Sequence, residues 1–134
     1  MNVSNAKNIV AELTRRVPAF AEARDQNESY LSHGDTSPYL VFGDFARFLI
    51  NTIKEEPRNL EAEAILRDSF DLLSEMATSP DDDLVNLAQV GVFEVLTDSP
   101  EAVLVARQYL AGEAADVFEH VVELWTPKHG LTVQ

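Results

Sequence analysis

The segment from Leu84 to Leu96 restricts the fold most, because it is apolar on nearly every side of a helix. When the segment is projected as a helix at 100° per residue, its polar residues Asn86, Gln89 and Glu94 fall on one side. Two apolar residues, Val90 and Phe93, lie on the same side. A helix of this kind is typically buried. We therefore predict a central helix with neighbours on at least two sides, and Gly91 would let one of them approach closely.

Three serine-proline pairs indicate where helices begin: Ser37-Pro38, Ser79-Pro80 and Ser99-Pro100. Serine can cap the free amides of a helix N-terminus, and proline at the next position sacrifices no hydrogen bond. Acidic residues follow two of the pairs, where the helix dipole favours negative charge. We also expect Gly112 to end the sixth helix in a left-handed conformation.

The whole chain follows helical periodicity, with no strictly alternating segment and no Asn-Gly or Asp-Gly hairpin turn. The prediction is an all-α protein, a single compact domain of six to seven helices arranged as a bundle or a short α-solenoid-like stack. Residues 1–126 form this domain and 127–134 a flexible C-terminal tail. The seven predicted helices cover residues 4–16, 18–31, 38–55, 59–77, 80–97, 99–111 and 113–125.

The third and last helices have apolar faces that we expect to be buried. In the third helix the set is Leu40, Val41, Phe45, Phe48, Leu49 and Ile53. In the last helix it is Val117, Phe118, Val121, Leu124 and Trp125.

Negative charge is concentrated in the second half of the chain. The net charge of the chain is −13. Residues 1–67 contain eight Lys/Arg and ten Asp/Glu, whereas residues 68–134 contain two Lys/Arg and thirteen Asp/Glu. Such a field repels nucleic acid and anionic membranes and attracts a basic protein. A surface of this kind also keeps a protein soluble, so composition alone leaves both interpretations open.

No sequence motif predicts an enzyme. There is no cysteine, P-loop, G-x-G-x-x-G or G-x-S-x-G sequence. His33 and Asp35 lie in a predicted loop. Asp116, Glu119, His120 and Glu123 share one face of the last helix, but the Glu-x-x-His pair of carboxylate metal sites is absent. We therefore expect no catalytic residues, no metal and no cofactor, and without a signal peptide a cytoplasmic protein.

Two stretches resemble small acidic all-helical bacterial proteins of the immunity type, which are associated with polymorphic or contact-dependent toxins. These are "YLVFGDFARFLI" (39–50) and "DDLVNLAQVGVFEVL" (82–96). The shared positions are Asp44, Phe45, Ala46 and Arg47, then Phe93, Glu94, Val95 and Leu96. The resemblance covers the middle and C-terminal two-thirds of the chain and transfers no functional residue.

The resemblance implies an immunity protein that binds and neutralises a cognate basic toxin, in agreement with the charge argument. We call the side of the central helix with Asn86, Gln89, Val90, Phe93 and Glu94 the mixed strip. The expected partner contacts come from this strip and from carboxylates of the C-terminal half: Asn86, Gln89, Phe93, Glu94, Asp98, Glu101, Asp116, Glu119 and Glu123. In the alternative interpretation of the strip, Phe93 packs under the fourth or sixth helix and Glu94 is solvated or pairs with Arg67 or Arg107. A different class of function is a helical adaptor that holds a peptide or partner helix in an apolar groove.

Overall fold

The computed structural model describes residues 8–26, 37–55 and 58–125. These residues form seven helices: α1 Ile9–Arg16, α2 Pro18–Gln26, α3 Pro38–Lys54, α4 Leu60–Ala77, α5 (Asp82–Asn86, Leu87–Phe93 and Glu94–Leu96 in one continuous run), α6 Pro100–Tyr109 and α7 Gly112–Trp125. The all-α, single-domain prediction is confirmed. No helix in these ranges is long and apolar enough to span a membrane. The predicted tail 127–134, His33 and Asp35 lie outside the described residues.

The helix starts predicted from the serine-proline pairs are confirmed at two of the three sites, and capping by the serine side chain is confirmed at Ser99. Pro38 and Pro100 open α3 and α6, and the Ser99 side chain accepts a hydrogen bond from the Ala102 amide at 3.2 Å. At the remaining site the predicted start is two residues early. There Asp81 caps α5 by accepting from the Asp83 amide, because its carboxylate suits the positive end of the helix. Ser79 instead accepts from the Asp81 amide in the preceding turn.

Helix α5 is the centre of the molecule, as predicted. It packs against α3, α4 and α7. Five side chains along it are fully buried, namely Leu84, Ala88, Val92, Phe93 and Leu96. Each large apolar side chain buried in this way stabilises the fold by about 2 kcal/mol. Helix α1 packs against α2, α3 and α4, and α6 packs against α3 and α4.

Helix α3 crosses α5 closely at Gly91. A Cβ atom placed on Gly91 would lie 3.5 Å from the Cβ of Phe42 and 3.0 Å from a methyl carbon of Leu87. Both neighbours are buried. A methyl group at this position would thus reach Phe42 at van der Waals distance and crowd Leu87, so α3 lies close to α5 here, as expected for this glycine.

The middle of α5, Leu87–Phe93, is a π-helix. Its backbone hydrogen bonds span five residues instead of four, so each turn takes up one extra residue. Positions after this segment are therefore rotated relative to an α-helical projection. Phe93 points inward and meets the ring of Phe118 on α7 edge-on, with the ring centroids 5.2 Å apart.

The residues of α3 on which the proposed resemblance was based are mostly packing positions. Asp44, Phe45 and Ala46 are fully buried, and Arg47 donates a hydrogen bond to the Asp44 carboxylate from the next turn. A buried carboxylate is stable only when its charge is paired and hydrogen-bonded. The aspartate and arginine of the motif thus have a structural explanation within α3.

Three side chains predicted to be buried are substantially exposed. Leu40 in the first turn of α3 is 40% exposed, and Leu124 and Trp125 in the last turn of α7 are 45% and 48% exposed. A helical projection does not show where along a helix the covering elements end. Gly112 is left-handed as expected, at φ 59°, but it opens α7, whereas α6 ends at Tyr109.

Replacement of Gly91 by leucine is expected to lower the free energy of unfolding by about 1–2 kcal/mol. Overpacking against Phe42 and Leu87 costs about 1–3 kcal/mol, which outweighs a gain in helix propensity of up to about 1 kcal/mol. Urea denaturation followed by circular dichroism measures the change. The matched control is Val90→Leu on the adjacent residue, which is 42% exposed and should change stability by less than about 0.5 kcal/mol. Equal stabilities of the two variants would contradict the close crossing.

Candidate partner-binding surface

Helices α6 and α7 carry most of the acidic side chains that the sequence predicts as partner contacts in this part of the chain. Helix α7 buries Ala114, Phe118, Val121 and Val122 toward the core. Because residues three and four apart lie on one side of a helix, its polar residues share the opposite, exposed face: Asp116, Glu119, His120 and Glu123. We call this set the α7 face.

An open cleft lies where the α7 face meets α6. Its volume is 470 Å³, and its lining consists of Arg107 from α6 together with Val122 and the four residues of the α7 face. The structure thus brings Asp116, Glu119 and Glu123 together around one depression. Glu101, in the first turn of α6, and Asp98, in the turn before it, are exposed but do not line this cleft.

Arg107 and Glu119 connect the two helices across the cleft. The guanidinium donates two hydrogen bonds to the carboxylate, from Nε at 2.8 Å and from Nη2 at 2.9 Å. These bonds hold the pKa of Glu119 below its ordinary value, against a smaller opposing effect of desolvation. Glu119 is therefore charged and held in position, while Asp116 and Glu123 have no ion pair among the residues the structure describes.

The structure divides the mixed strip of α5. Phe93 is fully buried against Phe118, so a partner cannot reach it without unfolding this part of the core. The expectation that Phe93 belongs to a binding surface is corrected on this ground. The burial agrees with the alternative interpretation, in which Phe93 packs within the fold, and its ring contact is with Phe118 on α7.

The other residues of the strip remain accessible to different degrees. Asn86 is exposed, and its side-chain amide donates a hydrogen bond to the Tyr39 hydroxyl of α3 at 2.5 Å. Gln89 and Glu94 are partly buried. Within the described part of the chain Glu94 forms no ion pair, since Arg107 pairs with Glu119 and Arg67 lies nearest to Asp68, at 3.9 Å.

The described residues contain no metal-binding cluster. In residues 8–26, 37–55 and 58–125, no three His, Cys, Asp or Glu side chains are placed to hold a metal ion. The features of the α7 face that bear on function are its negative charge and its exposure to solvent.

Residues 10–126 match a sequence family described as a domain of unknown function, DUF7674. The chain belongs to this family. The match begins within α1 and continues beyond the end of α7, so the DUF7674 domain takes in the whole helical unit described above. No curated protein and no solved structure matches the chain significantly.

Replacement of Arg107 by glutamine is expected to raise the pKa of Glu119 toward its ordinary value of 4.5, because the two charge-assisted hydrogen bonds are lost. A carbon-detected NMR titration of the Glu119 carboxyl measures this. Arg67→Gln removes the same charge elsewhere and should leave the Glu119 titration unchanged. An unchanged titration in the Arg107 variant would contradict the pairing.

The same pair makes a small contribution to the pH dependence of stability. The pKa of Glu119 is lower in the folded protein than in the unfolded chain. The stabilisation from the pair is therefore fully present when the pH is above the unfolded-state pKa of Glu119, and it disappears as the pH falls through the folded-state pKa. Both side chains are 46% exposed, so solvent screening limits it to about 1 kcal/mol or less.

Proposed function

We propose that this protein is a non-enzymatic, acidic binding protein of the immunity type, which neutralises a cognate basic bacterial toxin in the cytoplasm. The contact surface in this proposal is the α7 face, extended by the carboxylates of Glu94, Asp98 and Glu101. The observation that carries it is a set of exposed carboxylates around one cleft with almost no opposing positive charge.

The charge balance of the second half supports this choice of partner. Residues 68–134 contain only two basic residues, Arg107 and Lys128. Arg107 already donates hydrogen bonds to Glu119 from Nε and Nη2. Asp116 and Glu123 therefore contribute uncompensated negative potential on either side of that pair, and such a potential attracts a cationic surface.

A complementary surface of this kind could inhibit a toxin that acts on nucleic acid. Such a toxin needs Lys and Arg side chains to hold the phosphate backbone. Carboxylates that pair with those side chains would occupy the same positions as the phosphates. The opposite potentials would also accelerate association and select against neutral or acidic proteins. The Arg107–Glu119 pair keeps one carboxylate in a fixed place, which reduces the conformational entropy lost on binding.

Co-expression with the product of the adjacent gene tests the proposal. The two proteins are expected to co-purify, and this protein should protect the cell from the toxicity of its neighbour. Because the contact is between exposed charges, binding should weaken strongly as the salt concentration rises. An adaptor that binds through an apolar groove would show little salt dependence. Failure to co-purify, or absence of protection, would reject the proposal.

Charge reversal locates the contact surface. The double variant Asp116→Lys, Glu123→Lys is expected to weaken binding roughly 100-fold, because two charged contacts of about tenfold each become repulsive. The control is Glu63→Lys, Asp71→Lys, which makes the same charge change at two exposed positions of α4. Isothermal titration calorimetry of both variants against the partner gives the comparison. Equal losses in both would show that only net charge matters, which contradicts a specific α7 surface.

A further inference from the structure

A second cleft, distinct from the one on the α7 face, runs along α4. Its main part has a volume of 340 Å³ and lies between α4 and the corner where α1 meets α2. A neighbouring depression of 180 Å³ shares the lining residues Ala19, Glu61 and Ile65 with it, and we call the two together the α4 cleft. On α4 the lining extends from Asn59 to Asp68, which corresponds to about 14 Å of helix.

The walls of this α4 cleft are fixed by contacts on both sides. Arg16, at the end of α1, donates two hydrogen bonds to Glu75 of α4, at 2.8 and 2.7 Å. Helix α2 is anchored by Phe20, which is fully buried and lies 5.3 Å from the ring of Phe45 and 5.3 Å from that of Phe48. The cleft is thus a formed feature of the fold.

The floor of the α4 cleft is apolar and is built from small side chains. Ala19 faces Ala64 and Ile65 across it, and all three are partly accessible. Two alanines at the meeting point of α2 and α4 leave space that larger side chains would fill. Such a floor can accept the aliphatic part of an incoming side chain.

The rim of the α4 cleft is negatively charged. Glu22, Glu61 and Asp68 are exposed at its edge. Among the described residues that line the main part of the cleft, Arg16 is the only basic one, and its guanidinium is held by Glu75. Arg67 lies 3.9 Å from Asp68, but both side chains are more than half exposed, so this pair is weak. The potential at the rim is therefore complementary to a cation.

We propose that the α4 cleft binds a basic amphipathic peptide segment. Lysine or arginine side chains of that segment lay their aliphatic stems on Ala19, Ala64 and Ile65 and place their charged ends at the rim carboxylates. The length of the cleft corresponds to about nine helical residues, which is the span of a helix that docks into a groove. The site uses α2 and α4, so it does not depend on the function proposed for the α7 face.

The test uses a short fluorescein-labelled amphipathic peptide of lysine, leucine and alanine, with fluorescence anisotropy as the measurement. Saturable binding to the full-length protein is expected, and a matched peptide with glutamate in place of lysine should not bind. Glu61→Lys should weaken binding roughly tenfold or more, because an attractive contact becomes repulsive. Glu63→Lys is the matched control, since both residues are exposed and lie in the first turn of α4. Glu63 does not line the cleft, so its effect should stay within about twofold.

A steric variant separates insertion into the cleft from general attraction to an acidic protein. Ala64→Leu fills the floor without changing the charge and should reduce binding by roughly tenfold or more. Circular dichroism verifies that each variant is folded. No saturable binding to the wild type, equal effects of Glu61→Lys and Glu63→Lys, or unchanged binding by the Ala64 variant would each overturn the proposal.

Discussion

The crossing of α3 and α5 at Gly91 is the constraint on which the rest of the structure depends. A Cβ atom on Gly91 would already touch Phe42 of α3 and crowd Leu87, so a larger side chain at this position would push the two helices apart. Once α5 is enclosed by α3, α4 and α7, its apolar side chains fill the core from several directions. Among the described residues Asp44 is the one charged side chain that is buried, and Arg47 pairs with it, because an unpaired charge in that core would be strongly destabilising.

This arrangement leaves two negatively charged depressions of different character. The cleft at the α7 face is lined mainly by charged side chains and contains one arginine that is already paired. The α4 cleft has an apolar floor and carboxylates only at its rim. A rigid cationic surface suits the first, whereas a single amphipathic segment suits the second. The two proposals therefore concern different surfaces and can succeed or fail separately.

Much of the fold could be predicted from local sequence patterns. Periodicity and proline positions identify seven helices, because amphipathic faces and helix starts are encoded by neighbouring residues. The prediction was wrong where several signals competed, as at Ser79, where Asp81 two residues later is the cap. It was also wrong for Leu124 and Trp125, since the sequence does not show where the covering helices end.

The candidate sites were harder to predict, because they depend on contacts between distant residues. Phe93 was named both as part of a candidate binding strip and, in the alternative interpretation, as a residue packed under a neighbouring helix, and its burial agrees with the alternative. A projection at 100° per residue does not include the π-helical segment in which Phe93 lies. The partner of Asn86 is Tyr39, 47 residues away, and no local pattern connects them. The acidic face of α7 was visible in the sequence, but the pairing of Arg107 with Glu119 and the α4 cleft required the packing of whole helices.

Amide hydrogen exchange of the protein, free and bound to the product of the adjacent gene, tests the central claim most directly. That claim is that a rigid apolar centre around α5 carries a charged recognition surface on α7. The account predicts slower exchange on complex formation in residues 112–125 and unchanged, slow exchange in residues 82–96. Protection that leaves α7 unaffected, or a loosened α5 in the complex, would contradict it.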